Sequence, residues 1–168
     1  MTKGEKMSKP TCYILSGVPG CGKSTWARKF AAKMPDYIKH VSRDEIRFSL
    51  LKDGEDYFAH EGEVLLSFYR QANEILASGK NVIMDATHTS ERALYETLRR
   101  INVDAKMVFV SFDVPLNICL ARNAQREGLA CVPERVIRSA YVAKNKLNAS
   151  VQNGKFNVSV WNVGEDVL

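Results

Sequence analysis

The chain has 168 residues, 45% hydrophobic and 26% charged, with a net charge of +5, the profile of a single globular domain with a sizeable core. No apolar run approaches the roughly 20 residues that cross a bilayer. The opening MTKGEKMSKP is polar and has no apolar signal segment, so a cytoplasmic protein is expected. Cys12, Cys21, Cys119 and Cys131 form no CxxC pair and have no histidines at zinc spacing, which argues against a disulfide framework or a structural metal site. Cys12 and Cys119 stand in apolar stretches and read as core residues.

In chain order, residues 1–10 read as a flexible tail. Residues 11–16 (TCYILS) are a short β-rich run followed at once by glycines. Residues 22–33 have helical character, with Trp26, Phe30 and Ala31 on one side and Pro35 as a stop. Residues 37–42 read as a second strand, and RDEIRFSLL after it as a helical turn or two. The clearest helix is 57–78, where Phe58, Val64, Leu65, Phe68, Ala72, Ile75 and Leu76 recur at three and four before Gly79. Residues 81–85 (NVIMD) are an apolar run ending in a carboxylate. Ser90 can cap a helix that runs through Arg100 with Leu94 and Leu98 facing inward. Residues 106–113 (KMVFVSFD) lack alternation and read as a strand buried on both faces. Pro115 and Pro133 each suit the first position of a helix, with a polar, Gly-containing loop at 124–132 between those helices. Residues 156–163 make a last strand. Strands alternating with helices imply a parallel sheet covered on both faces, a single domain over 11–168 with a small lid at about 117–133.

Gly17-Val18-Pro19-Gly20-Cys21-Gly22-Lys23-Ser24-Thr25 satisfies G-x-x-x-x-G-K-[ST] at every fixed position, after an apolar strand and before a helix. Glycines let successive backbone N–H groups turn onto phosphates, and the helix N-terminus adds partial positive charge. Lys23 is expected at the β- and γ-phosphates of ATP and the Ser24 hydroxyl on Mg²⁺. The motif identifies nucleotide binding, not a reaction. Asp85, closing NVIMD, has the place of a Walker-B-type carboxylate; contact with Mg²⁺ through water, orientation of an arginine, and simple helix capping all fit it.

Carboxyl ends of strands in an open parallel sheet are where ligands sit, so Arg43-Asp44-Glu45-Ile46-Arg47 should face the phosphate loop. A kinase acting on an alcohol needs a carboxylate beside the hydroxyl, and Asp44 is the candidate. Arg47 lies one helical turn on; an ordinary surface ion pair fits the two residues equally. Between 117 and 155 seven basic residues (Arg122, Arg126, Arg135, Arg138, Lys144, Lys146, Lys155) face two acidic ones, Glu127 and Glu134. They read as a solvated helical face or as a surface for phosphates. Arg122 and Arg126, spaced by four, lead into the polar loop, where an arginine can neutralise charge on a transferring phosphoryl group; taken alone, the two fit ordinary helical surface arginines better.

The order GVPGCGKSTWARKF, SRDEIR, MDATHTSER, FDVP, RNAQREG, VPERVIRSAY resembles the kinase domain of the bacteriophage polynucleotide 5′-kinase/3′-phosphatase family, over about residues 13–141. The resemblance implies an α/β P-loop kinase, adenylate-kinase-like, with three layers and a five-stranded parallel sheet. It implies transfer of the γ-phosphate of ATP, with Mg²⁺, to 5′-hydroxyl ends of DNA or RNA, in a host cytoplasm if phage-encoded. Lys23 and Ser24 would serve ATP–Mg²⁺, Asp44 would be the general base, and Arg47 would meet the acceptor's 3′-side phosphate with Asp85 paired to it. Arg126 would be the lid arginine, and Arg122 would match the family's RN dipeptide. No DxDx[TV] nucleophile motif is present, and few residues follow Tyr141, so 3′-phosphatase activity is not expected. His88 and Thr89 depart from Asn-containing variants among relatives.

Two rival readings keep parts of this pattern. A kinase for a small alcohol (sugar, nucleoside or nucleotide-sugar) retains every catalytic role and changes the acceptor. A non-catalytic NTP-binding module retains the phosphate loop and leaves Asp44 without purpose.

Overall fold

The computed structural model describes residues 8–164. Most of the expected tail, 1–10, lies outside them; Pro10, at its end, accepts a hydrogen bond from the Lys106 N–H at 2.8 Å. Among the described residues five strands form one sheet: β1 Thr11–Ser16, β2 Ile38–Ser42, β3 Asn81–Asp85, β4 Lys106–Asp113 and β5 Ser159–Gly164. Their order is β2-β3-β1-β4-β5, and every neighbouring pair is parallel. Helices α1 Lys23–Lys33, α2 Arg43–Leu50, α3 Glu61–Ala77, α4 Glu91–Arg100, α5 Leu116–Ala124 and α6 Glu134–Gln152 make the crossovers.

Alternation along the strands sorts the core into two layers. Tyr13 and Leu15, Ile83, and Val108, Val110 and Phe112 point to the side of Ala27 and Cys119. Cys12 and Ile14, Val82 and Met84, and Phe109 point to the side of Phe68, Ala72, Leu76 and Leu94. Period two in a sheet covered on both faces demands apolar residues at odd and even positions alike, which is why the central strands β3, β1 and β4 read as near-continuous hydrophobic runs, while the edge strands β2 and β5 carry Lys39, His40 and Asn162. Helix α6 joins the layers, with Ile137 in the first and Leu147 and Val151 in the second. Trp26 stacks on Phe30 at 4.8 Å, and Phe30 lies 6.1 Å from Trp161 of β5.

Four expected boundaries shift for local reasons. Helix α3 starts at Glu61 rather than 57, because Asp56 ties residues 56–59 into a turn: its carboxylate accepts the Phe58 N–H at 2.9 Å and its carbonyl the Ala59 N–H. Phe58, expected on the buried stripe, is 62% exposed in that turn. Pro115 and Pro133 have extended ψ of 141° and 135°, so each caps its helix from one residue before the first helical position. Strand β5 starts three residues late because Val158 N–H turns back onto the Phe156 carbonyl.

Candidate active site

The strand order reverses beside β1, so the loop after β1 and the ends of β2 and β3 share one edge of the sheet. Register puts Ser42 directly opposite Asp85. Helix α2 starts from that edge: the Ser42 hydroxyl accepts the Glu45 N–H at 3.2 Å and caps it. Arg28 of α1 reaches Glu45 at 3.2 Å, tying the phosphate-loop helix to α2.

In the loop itself, Gly20 has φ +86°, and a Cβ there would lie 2.3 Å from the Cys119 carbonyl at the base of α5. Glycine is required on both counts. Gly22 caps α1 with φ +94°. A Cβ at Gly17 would lie 2.4 Å from Cys21 Sγ, so the turn is closed from within, with Cys21 buried inside it. The Gly17 N–H is anchored to the Thr87 carbonyl at 3.0 Å. Lys23 is only 8% exposed, and its ammonium donates to the carbonyls of Gly17 (2.8 Å) and Val18 (3.1 Å). Pro19 and Ser24 are half-buried and Thr25 exposed on the rim.

Asp85 is 4% exposed and holds His40 Nε2 at 2.9 Å. Burial alone would push its carboxyl up; the hydrogen bond with His40, the nearby Lys23 charge and a hydrogen bond with Ser24 bring it below the ordinary carboxylate value. The expected pairing of Asp85 with Arg47 does not occur. His40 lies two residues before Ser42 on the same face of β2 and therefore reaches Asp85 diagonally, whereas Arg47 projects from α2 toward α3.

Arg47 is 3% exposed and sits in a side-chain network. Its Nη1 donates to Asp44 Oδ1 at 2.6 Å and to the Tyr57 hydroxyl at 2.8 Å, and its Nη2 to Glu61 Oε2 at 2.8 Å. The Tyr57 hydroxyl donates in turn to Asp44 Oδ1 at 2.9 Å. Arg43 binds the other oxygen of Glu61. Burial, then the Asp44 charge and hydrogen bond, pushes the Tyr57 phenol up to about 12, so it stays a donor. The Asp44 side chain remains 63% exposed. Among the described residues, the buried side-chain polar atoms lacking a partner are the Nε groups of Arg43 and Arg47.

Sequence reasoning missed Glu61, Tyr57 and His40. A signal for Glu61 was present: a carboxylate in the first turn of the helix that follows an Arg-Asp-x-x-Arg segment. Tyr57 was hidden by its assignment to that helix.

The loop from 125 to 133, with a 3₁₀ turn Gly128–Ala130, follows α5. Arg126 there is exposed and Arg122 half-buried on α5, and neither has an ion-pair partner among the described residues. Asn123 closes the loop base: its side-chain amide donates to the Val132 carbonyl at 2.7 Å and accepts the Val132 N–H at 2.9 Å. The basic set between 117 and 155 is not one surface. Lys144 is 3% exposed and bonded to Asp113 and Ser111, Arg138 pairs with Glu134, and Lys155 pairs with Glu91.

A family model described as an AAA domain matches residues 13–143. The chain belongs to the AAA domain family. This AAA domain is 29% identical, over 76% of its length, to the L-seryl-tRNA(Sec) kinase of Methanococcus maripaludis, of which it covers 50%. It covers 50% of a chain in the Pnkp1/Rnl/Hen1 RNA repair complex, matching over 95% of its own length with a TM-score of 0.75 and 26% identity. Chaetomium thermophilum Kti12, solved in complex with ADP-AlF3, matches over 92% of the AAA domain and 89% of its own chain, with a TM-score of 0.66 and 14% identity. The chain thus spans about half the length of the curated relative and of the repair-complex chain. The expected P-loop kinase fold is the one observed: a five-stranded parallel sheet with helices on both faces. No helix among the described residues is long and apolar enough to cross a membrane.

Proposed function

We propose that this P-loop kinase transfers the γ-phosphate of ATP to a 5′-hydroxyl end of a nucleic acid. The observation that carries the reading is Asp44: an exposed carboxylate at the phosphate-loop edge of the sheet, with one oxygen held by Arg47 and Tyr57 and the other without a partner among the described residues. A carboxylate fixed in this way is oriented to accept the proton of an acceptor alcohol as its oxygen attacks phosphorus. The RNA named for two relatives, in a seryl-tRNA kinase and in an RNA repair complex, supports a nucleic-acid acceptor.

In this reading residues 17–25 cradle the ATP phosphates with backbone N–H groups, and Lys23 exchanges its loop carbonyls for the β- and γ-phosphates. Arg126, with Arg122 behind it, meets the transferring phosphoryl group from the loop after α5. Arg47 and the more exposed Arg43 supply positive charge for the phosphate on the acceptor's 3′ side. Ser24, at the start of α1, and Asp85, at the end of β3 and near enough to Ser24 for that hydroxyl to lower its pKa, are the residues that suit Mg²⁺. Among the described residues no three His, Cys, Asp or Glu side chains are grouped to hold a metal ion, so the nucleotide phosphates would supply the remaining ligands. Bound Mg²⁺ would supply charge neutralisation at the β- and γ-oxygens.

The test is γ-labelled ATP offered with 5′-hydroxyl oligonucleotides of DNA and RNA, a nucleoside 3′-phosphate, seryl-tRNA and a panel of sugars. Label on the 5′ ends is expected. Label confined to sugars or to seryl-tRNA overturns the reading.

A further inference from the structure

Beside the Asp44 carboxylate the chain exposes aromatic rings that the chemistry above does not use. The connection from α2 to α3 is a built loop. The Glu55 carboxylate accepts the Lys52 N–H at 2.9 Å and lies 2.8 Å from His60 Nε2, while Asp56 fixes the following turn. On it stand Tyr57 and Phe58, ring centroids 4.8 Å apart and nearly perpendicular, with Phe48 of α2 6.3 Å from Tyr57. The Arg47 guanidinium covers Tyr57 at 4.3 Å from its centroid, and the Tyr57 hydroxyl reaches Asp44. Tyr57 is therefore occupied on both counts, as ring and as donor. Phe58, which the same guanidinium approaches at the longer distance of 5.8 Å, and Phe48 remain open to solvent: they are 62% and 41% exposed.

Leaving phenylalanine rings in water on a loop closed by side-chain bonds forgoes burial that would otherwise stabilise the fold. The geometry points to Phe58, flanked by Phe48, as the platform on which the terminal base of the acceptor stacks. This rests on the nucleic-acid reading above and specifies it. The nucleoside whose 5′-hydroxyl meets Asp44 carries its base one sugar ring away, and Tyr57 connects that carboxylate to the Phe58 ring. The guanidinium groups of Arg43 and Arg47, whose buried Nε atoms lack partners among the described residues, adjoin the same cluster, and their positive charge suits the polyanionic backbone that accompanies the base. Ring stacking is tolerant of base identity, so the platform selects for a base without selecting which.

The experiment compares kcat/KM, at saturating ATP, for a short 5′-hydroxyl oligonucleotide and the same oligonucleotide with an abasic 5′-terminal residue. It uses wild type, Phe58→Ala, Phe58→Leu and Phe58→Trp. Wild type should favour the base-bearing acceptor by about tenfold to a hundredfold, the range of one aromatic stack. Alanine and leucine should shrink that ratio toward unity, mainly through the acceptor KM; tryptophan should keep it. Leucine preserves apolar bulk without a π face, so its failure separates stacking from simple hydrophobic contact. Equal use of both acceptors by wild type, or a ratio that survives Phe58→Ala, overturns the platform and leaves 5′-end transfer standing. Wild type that labels neither oligonucleotide but labels sugars overturns both readings together.

Discussion

The two halves of the site are built on different principles. The donor half is backbone: glycines forced into positive φ, a carbonyl contact from α5 at 2.3 Å from any added Cβ, and a lysine buried among loop carbonyls. The acceptor half is side chain: Asp44, Arg47, Tyr57, Glu61 and Arg43 hold one another across the seam between α2 and α3. A backbone cradle admits one local sequence pattern and one ligand chemistry. A side-chain network can change its acceptor by exchanging residues while the fold stays put.

The comparison breaks most plainly at Lys23. Lys23→Ala should abolish transfer with every acceptor, because it removes charge from the phosphates and only loop contacts from the fold; turnover at the wild-type rate overturns the donor assignment. Asp44→Asn should lower kcat by about 10²–10⁴-fold while calorimetric ATP affinity holds, since the amide cannot take a proton. A parallel fall in ATP affinity moves Asp44 into the donor half. Arg47→Ala should erase much of the preference for a nucleoside 3′-phosphate over the plain nucleoside, and Arg47→Lys should restore only part of it, having charge without the fork.

Glu61→Gln sharpens the contrast on a smaller scale. It leaves a neutral partner between two guanidinium groups, and acceptor kcat/KM should fall about tenfold, the worth of one charge-assisted hydrogen bond. ATP affinity should not move.

How much of this could be read in the sequence follows the same division. The phosphate loop announced itself because each of its requirements is local: glycines where φ is positive, lysine and serine at fixed offsets. The central strands β1, β3 and β4 were legible because burial on both faces fills odd and even positions alike with apolar residues. Arg47 and Asp44 were visible as a one-turn pair, yet their real partners lie across a loop, at Tyr57 and Glu61, and no periodicity links them. Asp85 was legible as a carboxylate at a strand end, while His40 was not. That contact depends on the register between two strands separated by 38 residues of helix and loop.

A further predicted effect concerns stability rather than rate, at the joint between the halves. His88 has φ +38°, is 5% exposed, and donates through Nδ1 to the Leu15 carbonyl at 2.8 Å; its own carbonyl accepts the Ser16 hydroxyl. Burial lowers its pKa to about 4, so the native protein resists a proton that an unfolded histidine takes near pH 6.5. The folded value is depressed, so this contribution is complete above pH 6.5 and is lost as pH falls toward 4, by up to about 3 kcal/mol. His88→Asn, a residue that tolerates positive φ, should flatten the urea midpoint across that window. An unchanged slope would show that His88 does not set it.

Both tryptophans of the chain, Trp26 and Trp161, belong to the aromatic cluster around Phe30, and Trp26 follows the phosphate loop by one residue after Thr25. The acceptor half has tyrosine and phenylalanine but no indole. Intrinsic fluorescence excited at the red edge therefore reads one side of the site only, giving the molecule an optical label on its donor half. An emission change on adding nucleotide, with none on adding acceptor, would let the two binding events be timed separately without attaching a dye.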